Sequence, residues 1–346
     1  MNKPVENNIL EVRDLEVKFF SDEGTVNAAN GVNFKVPAGK SIGIVGESGC
    51  GKTVTAYSVL QLLPSTGKIT NGTIKYQAND GNVIDLTNLK SESRAMRRIR
   101  GGEISMIFQE PMTSFSPVHT ICNQISEAIM LHQHLSKQKA RLRAIEMLEL
   151  VGIPNAKRRV DEYPFQFSGG MRQRAMIAMA LACNPKILIA DEPTTALDVT
   201  TQAQVLKLIQ GIQDELNLSM ILITHDLGVI AQMVDHVYIM YLGKVVESGS
   251  VYDIFDRAKH PYTRDLIQSI PKLHGARGER VTSIAGTVPS TYKLPKGCAF
   301  HARCSDMFGN ICRTETPLPI EVGSDHYVSC FLHSREEGKN NARDAR

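Results

Sequence analysis

Two hydrophobic patterns alternate along the first 260 residues of the chain. Apolar and polar side chains alternate in Ile9–Val17 and Val32–Val36, whereas Ser41–Val45, Ile104–Phe108 and Lys186–Ala190 are mainly continuous apolar runs. Alternation is typical of a strand with one buried face, and a short apolar run is typical of a strand buried on both faces. Each of these segments is therefore a predicted strand.

Apolar residues at helical spacing follow several of these strands. The predicted helices are Val54–Leu63, which Pro64 ends, most of 120–152, 171–182 and Ala203–Leu216. Strands that alternate with helices predict an α/β fold with a mostly parallel sheet covered on both faces. The almost entirely helical stretch from about 115 to 180 is expected to be an inserted helical subdomain.

Shorter strands and turns complete the predicted pattern. Residues 69–86 are expected to form a hairpin, because Asn71-Gly72 and Asp80-Gly81 are typical turn dipeptides. Further strands are predicted at Met220–Thr224, Asp235–Met240 and Lys244–Glu247. The periodicity weakens after about residue 257, and residues 271–297 are interpreted as a linker because they are rich in Pro, Gly, Lys and Thr.

The composition is that of an ordinary globular protein, with 346 residues, 42% of them hydrophobic, and a net charge of +3. So small a net charge gives no reason to expect nucleic acid as the main partner. The basic run Arg94–Arg100 is interpreted as a solvated helix face. No secretory signal and no apolar run long enough to span a bilayer are found. We expect a cytoplasmic protein that reaches a membrane by docking to another subunit.

The most specific motif is G-x-x-x-x-G-K-[ST], which lies between a predicted strand and a predicted helix. The glycines let backbone N–H groups turn towards phosphates, and the helix N-terminus adds partial positive charge. Lys52 is expected to reach the β- and γ-phosphates of ATP, and the Thr53 hydroxyl to bind Mg²⁺. The predicted phosphate-binding residues are Gly46, Glu47, Ser48, Gly49, Cys50, Gly51, Lys52 and Thr53.

Two acidic residues follow the buried run Ile187–Ala190. An apolar strand places carboxylates that follow it at the C-terminal edge of the sheet, beside the phosphate loop. Asp191 is therefore expected to hold Mg²⁺, directly or through water. Glu192 is expected to lie near the γ-phosphate and to polarise the attacking water.

Four further segments resemble motifs of the ABC ATPases and occur in the order of that family. Phe108–Pro111 resembles the Q-loop, Phe167–Met171 the LSGGQ signature, Thr195–Asp198 the D-loop and Ile223–Asp226 the switch-histidine strand. The signature has Phe for Leu and Met for Gln, at positions that are not expected to bond phosphate. The resemblance covers about residues 9 to 260. It implies a P-loop NTPase with a RecA-like core, an antiparallel β subdomain and the helical subdomain.

The resemblance also implies a head-to-tail dimer that holds each ATP between the phosphate loop of one subunit and the signature of the other. Ser168, Gly169 and Gly170 would face the γ-phosphate from the opposite subunit, and Asp198 of the D-loop is counted with the nucleotide-binding residues. The adjoining side chains Arg172, Gln173 and Arg174 are interpreted as a solvated face of the signature helix.

Within one subunit, the resemblance assigns His225 to a contact with the γ-phosphate that helps to place the water. Gln109 would touch Mg²⁺ and report nucleotide occupancy. Phe19, or else Phe20, would stack on adenine, with burial in the core as the alternative for Phe19. The residues expected to be catalytic are Glu192, His225, Lys52 and Gln109.

A narrower resemblance is to the oligopeptide/dipeptide importer ATPases. It rests on residues 107–117, on FSGGMRQR and ADEPTTALDVT, and on the tail that begins at His260–Thr263. Four of the seven cysteines lie in that tail, separated by five, seven and seventeen residues: Cys298, Cys304, Cys312 and Cys330. Four thiolates can hold Zn²⁺ or an iron–sulfur cluster. No C-x-x-C pair is present among them, and the resemblance favours a [4Fe-4S] cluster, with Zn²⁺ and metal-free or oxidised thiols left open.

The expected protein is the ATP-hydrolysing subunit of an ABC importer for oligopeptides or dipeptides, attached peripherally to the cytoplasmic face of the inner membrane. An ATPase domain would occupy residues 1–260 and a small cysteine-rich C-terminal domain residues 261–346. The expected partners are a paralogous ATPase or a second copy, two transmembrane permeases and, indirectly, an extracytoplasmic solute-binding protein.

Other solutes of the group stay open, among them nickel, glutathione and oligosaccharides such as chitobiose or cellobiose. One rival interpretation is a soluble ABC ATPase that acts on DNA or ribosomes. The chain shows neither the long coiled-coil insertion nor the second ATPase domain usual in that class. The other rival is a non-hydrolysing regulatory subunit, and the presence of Glu192 and His225 argues against it.

Overall fold

The computed structural model of the chain describes residues 8–109, 114–195, 197–270 and 284–334. The strands of this part form one sheet of four strands and one of eight. The strands are β1 (Asn8–Ser21), β2 (Gly24–Pro37), β3 (Ser41–Val45), β4 (Gly67–Gln77), β5 (Val83–Asp85), β6 (Ile104–Ile107), β7 (Ile187–Asp191), β8 (Ser219–Ile223), β9 (His236–Tyr241), β10 (Lys244–Ser250), β11 (Ile320–Gly323) and β12 (His326–Val328). The α-helices are α1 (Lys52–Val59), α2 (Arg94–Ile99), α3 (Ile121–Gln133), α4 (Lys137–Leu150), α5 (Ala156–Arg159), α6 (Gly169–Leu181), α7 (Val199–Leu216), α8 (Leu227–Met233), α9 (Val251–Arg257), α10 (Pro261–Gln268) and α11 (Ile311–Thr314).

The eight-stranded sheet has the order β11-β12-β10-β9-β3-β8-β7-β6. Strands β9, β3, β8, β7 and β6 run parallel, which confirms the predicted parallel sheet. Every residue of β3, β7 and β8 is buried, as expected for strands covered on both faces. The carboxyl ends of β3, β8, β7 and β6 consequently lie side by side at one edge of the sheet.

The four-stranded sheet is antiparallel, with the order β2-β1-β4-β5. The turn predicted at Asn71-Gly72 is wrong, because both residues lie inside β4, where the pairing with β1 shifts register. Gly72 has a φ of +96°, and a Cβ there would lie 2.6 Å from the carbonyl oxygen of Arg13. The glycine therefore serves an irregularity of the strand rather than a turn. The Asp80-Gly81 pair does lie between β4 and β5.

The predicted helical stretch is present as α3 to α6, and the helix expected over 120–152 is divided in two. His134 has a left-handed backbone with φ 54° and ends α3, while the Ser136 side chain accepts from the Lys139 N–H and caps α4. Buried apolar side chains of α3, α4 and α6 join one core with the parallel sheet. Within the described ranges, no helix has the length and apolar character needed to cross a bilayer.

The C-terminal strands extend the main sheet, because β12 pairs with β10 and β11 pairs with β12. A buried carboxylate lies at this junction. Glu247 accepts the N–H groups of Lys259 at 2.6 Å and His260 at 2.9 Å, and its Oε1 lies 2.8 Å from His326 Nε2. Polar groups from both sides of residue 260 thus share one buried network, so the predicted domain boundary at that position stays a prediction.

His260 is a buried titratable group of this network. Its Nδ1 accepts from the Tyr262 N–H at 3.1 Å, and its Nε2 is buried with no hydrogen-bond partner among the described residues. Burial lowers the pKa of His260 to about 4, although the nearby Glu247 raises it and Arg264 and His333 lower it further. The imidazole is consequently neutral in the folded protein at neutral pH.

The free energy of unfolding is expected to fall as the pH is lowered past about 6.5, because the unfolded chain then protonates His260 and the folded protein does not until about pH 4. The loss attributable to this group reaches at most about 3 kcal/mol. His260→Asn keeps an N-cap acceptor but does not titrate, so urea unfolding at pH 7 and 4.5 should show a smaller loss than in the unaltered protein. The exposed His119→Asn is the control; equal losses in all three proteins would contradict the assignment.

Candidate nucleotide-binding and catalytic site

The carboxyl ends of four parallel strands bring the predicted catalytic groups to one edge of the sheet. Strand β3 leads into Gly46–Thr53, β7 ends at Asp191, β8 leads to His225 and β6 leads to Gln109. Asp191 is in register with Ile223, the last residue of β8. Groups that are far apart in the sequence therefore become neighbours at this edge, as expected for ligand sites of open parallel sheets.

The loop Gly46–Thr53 is closely packed against β2, and its carbonyl oxygens bind the side chain of Lys52. Gly51 has a φ of +99°, and a Cβ there would lie 2.1 Å from the Ala28 carbonyl oxygen, so only glycine fits. The Lys52 side chain is buried, and its Nζ donates to the carbonyl oxygens of Gly46 at 2.8 Å and Glu47 at 3.1 Å. The ammonium is thereby held against the loop at the first turn of α1.

Thr53 and Asp191 provide a site that fits a magnesium ion. Thr53 Oγ1 donates to Asp191 Oδ1 at 3.3 Å, and Asp191 Oδ2 is buried with no hydrogen-bond partner in the described part of the chain. Burial raises the pKa of Asp191 to about 6, although the bond from Thr53 opposes the rise. Mg²⁺ prefers oxygen ligands such as a carboxylate and a hydroxyl. When bound, the ion supplies positive charge for phosphate oxygens.

Glu192 lies at the centre of a hydrogen-bond network. Its carboxylate accepts from Thr195 Oγ1 at 2.9 Å and from Gln109 Nε2 at 3.1 Å, and lies 3.1 Å from His225 Nδ1. Burial raises the pKa of Glu192, but the bonds to His225 and Thr195 outweigh it, so that the pKa is lowered. The carboxylate is therefore ionised at neutral pH and able to polarise a water molecule. The structure brings Gln109 to Glu192, and its contact with Mg²⁺ stays a prediction.

The backbone of Glu192 is unusual for a residue with a side chain. Its φ is +46°, and its N–H donates to the carbonyl oxygen of Ile223 at 2.8 Å. A left-handed conformation in a non-glycine residue costs about 1 kcal/mol or more and is concentrated at functional sites. This bend aims the carboxylate at the shared edge, and no pattern in the sequence predicted it. Thr195, which the sequence placed in the D-loop without a role, is the residue that holds the carboxylate there.

The signature and the D-loop begin two neighbouring helices. Ser168 caps α6 by accepting from the Met171 N–H at 3.3 Å, and Asp198 caps α7 by accepting from the Thr201 N–H at 3.0 Å. A Cβ at Gly170 would lie 3.0 Å from the Thr201 side chain, so the two helix starts are close. The signature opens a helix as predicted, and the contacts of Ser168, Gly169 and Gly170 with phosphate stay predictions.

The solvated face predicted for Arg172, Gln173 and Arg174 is wrong for Gln173, which is buried, and only partly right for the two arginines, which are half-buried. Gln173 is 1% exposed and donates to the Pro193 carbonyl oxygen just after Glu192. Arg174 donates to the Val151 carbonyl oxygen at 2.9 Å, and Arg172 donates to that of Phe167 at 3.1 Å. Polar side chains on a helix face can thus be recruited to satisfy loop carbonyls, which hydrophobic periodicity does not reveal.

Phe19 lies in β1, opposite Val26 of β2 and Gly67 of β4. Its ring is half-buried and covers Gly67, where a Cβ would lie 2.7 Å from the ring. Phe20 is 44% exposed, with the Lys68 ammonium 6.0 Å from its ring centre. The packing on Gly67 gives Phe19 a structural role, and stacking on adenine stays a prediction for either ring.

The four C-terminal cysteines lie close enough to affect one another. Burial raises the pKa of Cys304 and Cys330 to about 11, and repulsion from Cys298 adds to it in both. The Cys298 N–H donates to the Cys312 carbonyl oxygen at 2.9 Å. Within the described residues, however, no three His, Cys, Asp or Glu side chains are arranged to hold a metal ion. The arrangement of these thiols therefore does not fit the predicted cluster.

Comparison with known proteins agrees with the motifs. A family model described as ABC transporter matches residues 29–195, and one described as the C-terminal region of oligopeptide/dipeptide transporters matches residues 246–312. The probable peptide ABC transporter ATP-binding protein y4tR of Sinorhizobium fredii is 48% identical over 331 residues, which cover 95% of this chain and 96% of the relative. The chain belongs to the ABC transporter family. It is one of the ATP-binding proteins of that family, and therefore an ATPase.

Two further matches extend the comparison of this ABC ATPase. The dipeptide transport ATP-binding protein DppD of Bacillus subtilis is 48% identical over 328 residues, covering 94% of this chain and 95% of the relative. A bacterial ABC transporter cassette solved as a dimer is 26% identical, with a TM-score of 0.61, and the match covers 70% of this chain and 98% of the cassette. The predicted α/β ABC nucleotide-binding fold is thus confirmed.

Proposed function

We propose that this ABC ATPase hydrolyses Mg-ATP with the groups gathered at the carboxyl edge of its parallel sheet. The loop N–H groups and Lys52 hold the phosphates, and Thr53 and Asp191 hold the ion. Glu192 polarises the attacking water, and His225 orients it beside the γ-phosphate. The network around Glu192 supports this division, because a carboxylate fixed by three neighbours is preorganised to accept a bond from water.

The proposed ATPase works as a head-to-tail pair, either with a paralogous ATPase or with a second copy. Ser168, Gly169 and Gly170 of one protomer complete the phosphate site of the other. Two features support this arrangement: the signature lies at the N-terminus of α6, where backbone N–H groups favour an anion, and a structurally similar cassette is dimeric. Adenine would stack on Phe19, with Phe20 as the alternative.

The proposed work of the pair is to power peptide import through two membrane permeases, at the cytoplasmic face of the membrane. The observation that carries this proposal is the resemblance to peptide and dipeptide transport proteins along 94–95% of the chain. A solute-binding protein outside the membrane would deliver the peptide. Nickel, glutathione and oligosaccharides such as chitobiose are the alternative solutes, because the chain contains the motor and not the solute site.

The proposed permease contact lies beside the signature. Tyr163 and Phe165 stack at 5.5 Å just before α6 and are 39% and 68% exposed, and Val118 is 74% exposed. Exposed aromatic and apolar side chains in one region are typical of interaction surfaces. We also expect the permease to contact a groove near Gln109–Ile121, and residues 110–113 of this range lie outside the described residues.

A [4Fe-4S] cluster, or Zn²⁺, at the four C-terminal cysteines stays a prediction from the resemblance. In its favour is the gathering of four thiols in one region, and against it is their present arrangement. Anaerobic purification followed by iron, sulfide and zinc analysis tests it. About four iron and four sulfide per chain would support the cluster, stoichiometric zinc would replace it, and a metal-free protein would rule out both.

The transport function is tested by uptake of labelled dipeptides and oligopeptides in cells that lack this chain. The unaltered chain should restore uptake and the Glu192→Gln chain should not, because import needs hydrolysis. Restored uptake of an oligosaccharide, nickel or glutathione instead of peptides would change the solute but keep the motor. If permeases do not co-purify with the chain and no uptake depends on it, the protein would instead be a soluble ABC ATPase of another class.

A further inference from the structure

A buried arginine of the C-terminal region contacts the phosphate loop. Arg303 Nη1 donates to Glu47 Oε2 at 2.7 Å, and Nη2 donates to Oε1 at 3.1 Å. Glu47 is the second residue of the loop Gly46–Thr53, 256 positions away in the sequence. The Arg303 side chain is only 4% exposed, against 24% for Glu47. Two parallel bonds to one carboxylate fix both distance and orientation, and their energy is little screened when the pair is buried.

The arginine is itself held from several sides. Its Nε donates to the Ala285 carbonyl oxygen at 2.9 Å. Its guanidinium carbon lies 5.8 Å from the ring centre of Tyr241 and 5.9 Å from that of Phe300. Aromatic faces at this distance stabilise a cation. The guanidinium is therefore a fixed group, and the carboxylate of Glu47 is positioned by it rather than the reverse.

The backbone of Glu47 connects the Arg303 contact to Lys52, the lysine expected to bind phosphate. The Glu47 N–H donates to the Tyr262 hydroxyl at 3.0 Å, and its carbonyl oxygen accepts from Lys52 Nζ at 3.1 Å. Tyr262 is fully buried in the C-terminal region. All three polar parts of Glu47 are thus engaged, two by residues after position 260 and one by the lysine that is expected to bind phosphate.

We infer that Arg303 is a positioning residue of the nucleotide site: by clamping Glu47, the C-terminal region fixes the phosphate loop in its ATP-binding conformation. The segment between Cys298 and Cys304, which contains Arg303, then contributes directly to the nucleotide site. Weakening the clamp should raise the Kd and the KM for Mg-ATP, because the loop must be ordered at the expense of binding energy. It should change kcat much less, since Glu192 and His225 do not touch the clamp.

The test compares Arg303→Lys, Glu47→Gln and the double variant in the full-length chain. Lysine keeps a positive charge but loses the two-pronged contact, and glutamine keeps the shape of Glu47 but loses its charge. Each single change is expected to raise the Kd for Mg-ATP, measured by calorimetry, and the KM by about tenfold, a loss of roughly 1.4 kcal/mol. The double variant should have about the same Kd and KM as either single variant, because both single changes remove the same interaction.

The matched control is Asp306→Asn, which breaks the exposed Arg264–Asp306 ion pair of the same region, 2.6 Å long, without touching the loop. A purely structural clamp would lower the melting temperature of the variants and leave the Kd of the folded protein equal to that of the control. That result, or additive effects in the double variant, would overturn the inference.

Glu47→Gln and the unaltered chain provide two further comparisons. If Arg303→Lys does not fold, Glu47→Gln decides alone, because it changes the less buried partner and keeps its volume. If the unaltered chain fails to bind Mg-ATP, the proposed function is at fault. If the unaltered chain binds and both variants bind equally well, the inference about Arg303 is at fault.

Discussion

Replacing Glu192 by Gln is expected to lower the turnover of ATP by about a hundredfold to ten-thousandfold, the usual contribution of a positioned general base. Glutamine has the same shape and can keep hydrogen bonds to Thr195 and Gln109, but it carries no negative charge to polarise water. Mg-ATP should therefore still bind. The measurement is phosphate release at saturating Mg-ATP, together with the Kd from calorimetry.

The control for this variant is Glu146→Gln on α4, which removes an exposed glutamate paired with Arg143 at 3.3 Å. Its turnover should match that of the unaltered ATPase, because the change is a surface one. More than about a tenth of the normal turnover in Glu192→Gln would contradict the role of Glu192, since a general base is worth at least about a hundredfold. Loss of Mg-ATP binding would mean that Glu192 acts in binding instead.

Replacing Lys52 by Ala is expected to weaken Mg-ATP binding by about a hundredfold, or roughly 2.7 kcal/mol. The buried ammonium lies at the start of α1 against the loop carbonyls of Gly46 and Glu47. A charge in that position bonds phosphate oxygens with little screening by water. The Kd can be measured by calorimetry, and the rise in melting temperature that ATP produces should largely disappear.

Lys40→Ala is the matched control, because Lys40 precedes β3 at its other end and forms an exposed ion pair with Asp235 at 3.2 Å. It should bind Mg-ATP as the unaltered chain does. If Lys52→Ala binds ATP normally, the phosphate site lies elsewhere. If both variants lose binding, the effect reflects the stability of the sheet rather than the ammonium.

The gathering of the proposed catalytic residues at one edge of the sheet could be predicted, because it depends on chain direction. Strands β3, β6, β7 and β8 all run parallel, so residues that follow them must meet at one edge, whatever their separation in sequence. This is why Lys52, Asp191 and His225 could be assigned together. The role of the glycines in the phosphate loop was equally predictable, because the tight turn of the backbone there requires them.

Contacts made by long polar side chains could not be predicted in the same way. Gln173 reaches a loop carbonyl and Arg303 reaches Glu47, and neither contact leaves a periodic signal. The turn predicted at Asn71-Gly72 failed for a related reason. A left-handed glycine is required both in a hairpin turn and in an irregular strand pair, and only the pairing of β1 with β4 distinguishes the two.

The most direct test of this mechanism is the mass of the Glu192→Gln ATPase in solution with Mg-ATP, alone and mixed with the proposed paralogous ATPase, measured by light scattering. This variant should form a dimer with ATP and dissociate without it. Adding Ser168→Arg should leave a monomer that still binds ATP, because the bulky side chain blocks only the site of the opposite protomer. A chain that stays monomeric with ATP in both settings, or a dimer indifferent to Ser168→Arg, would contradict it.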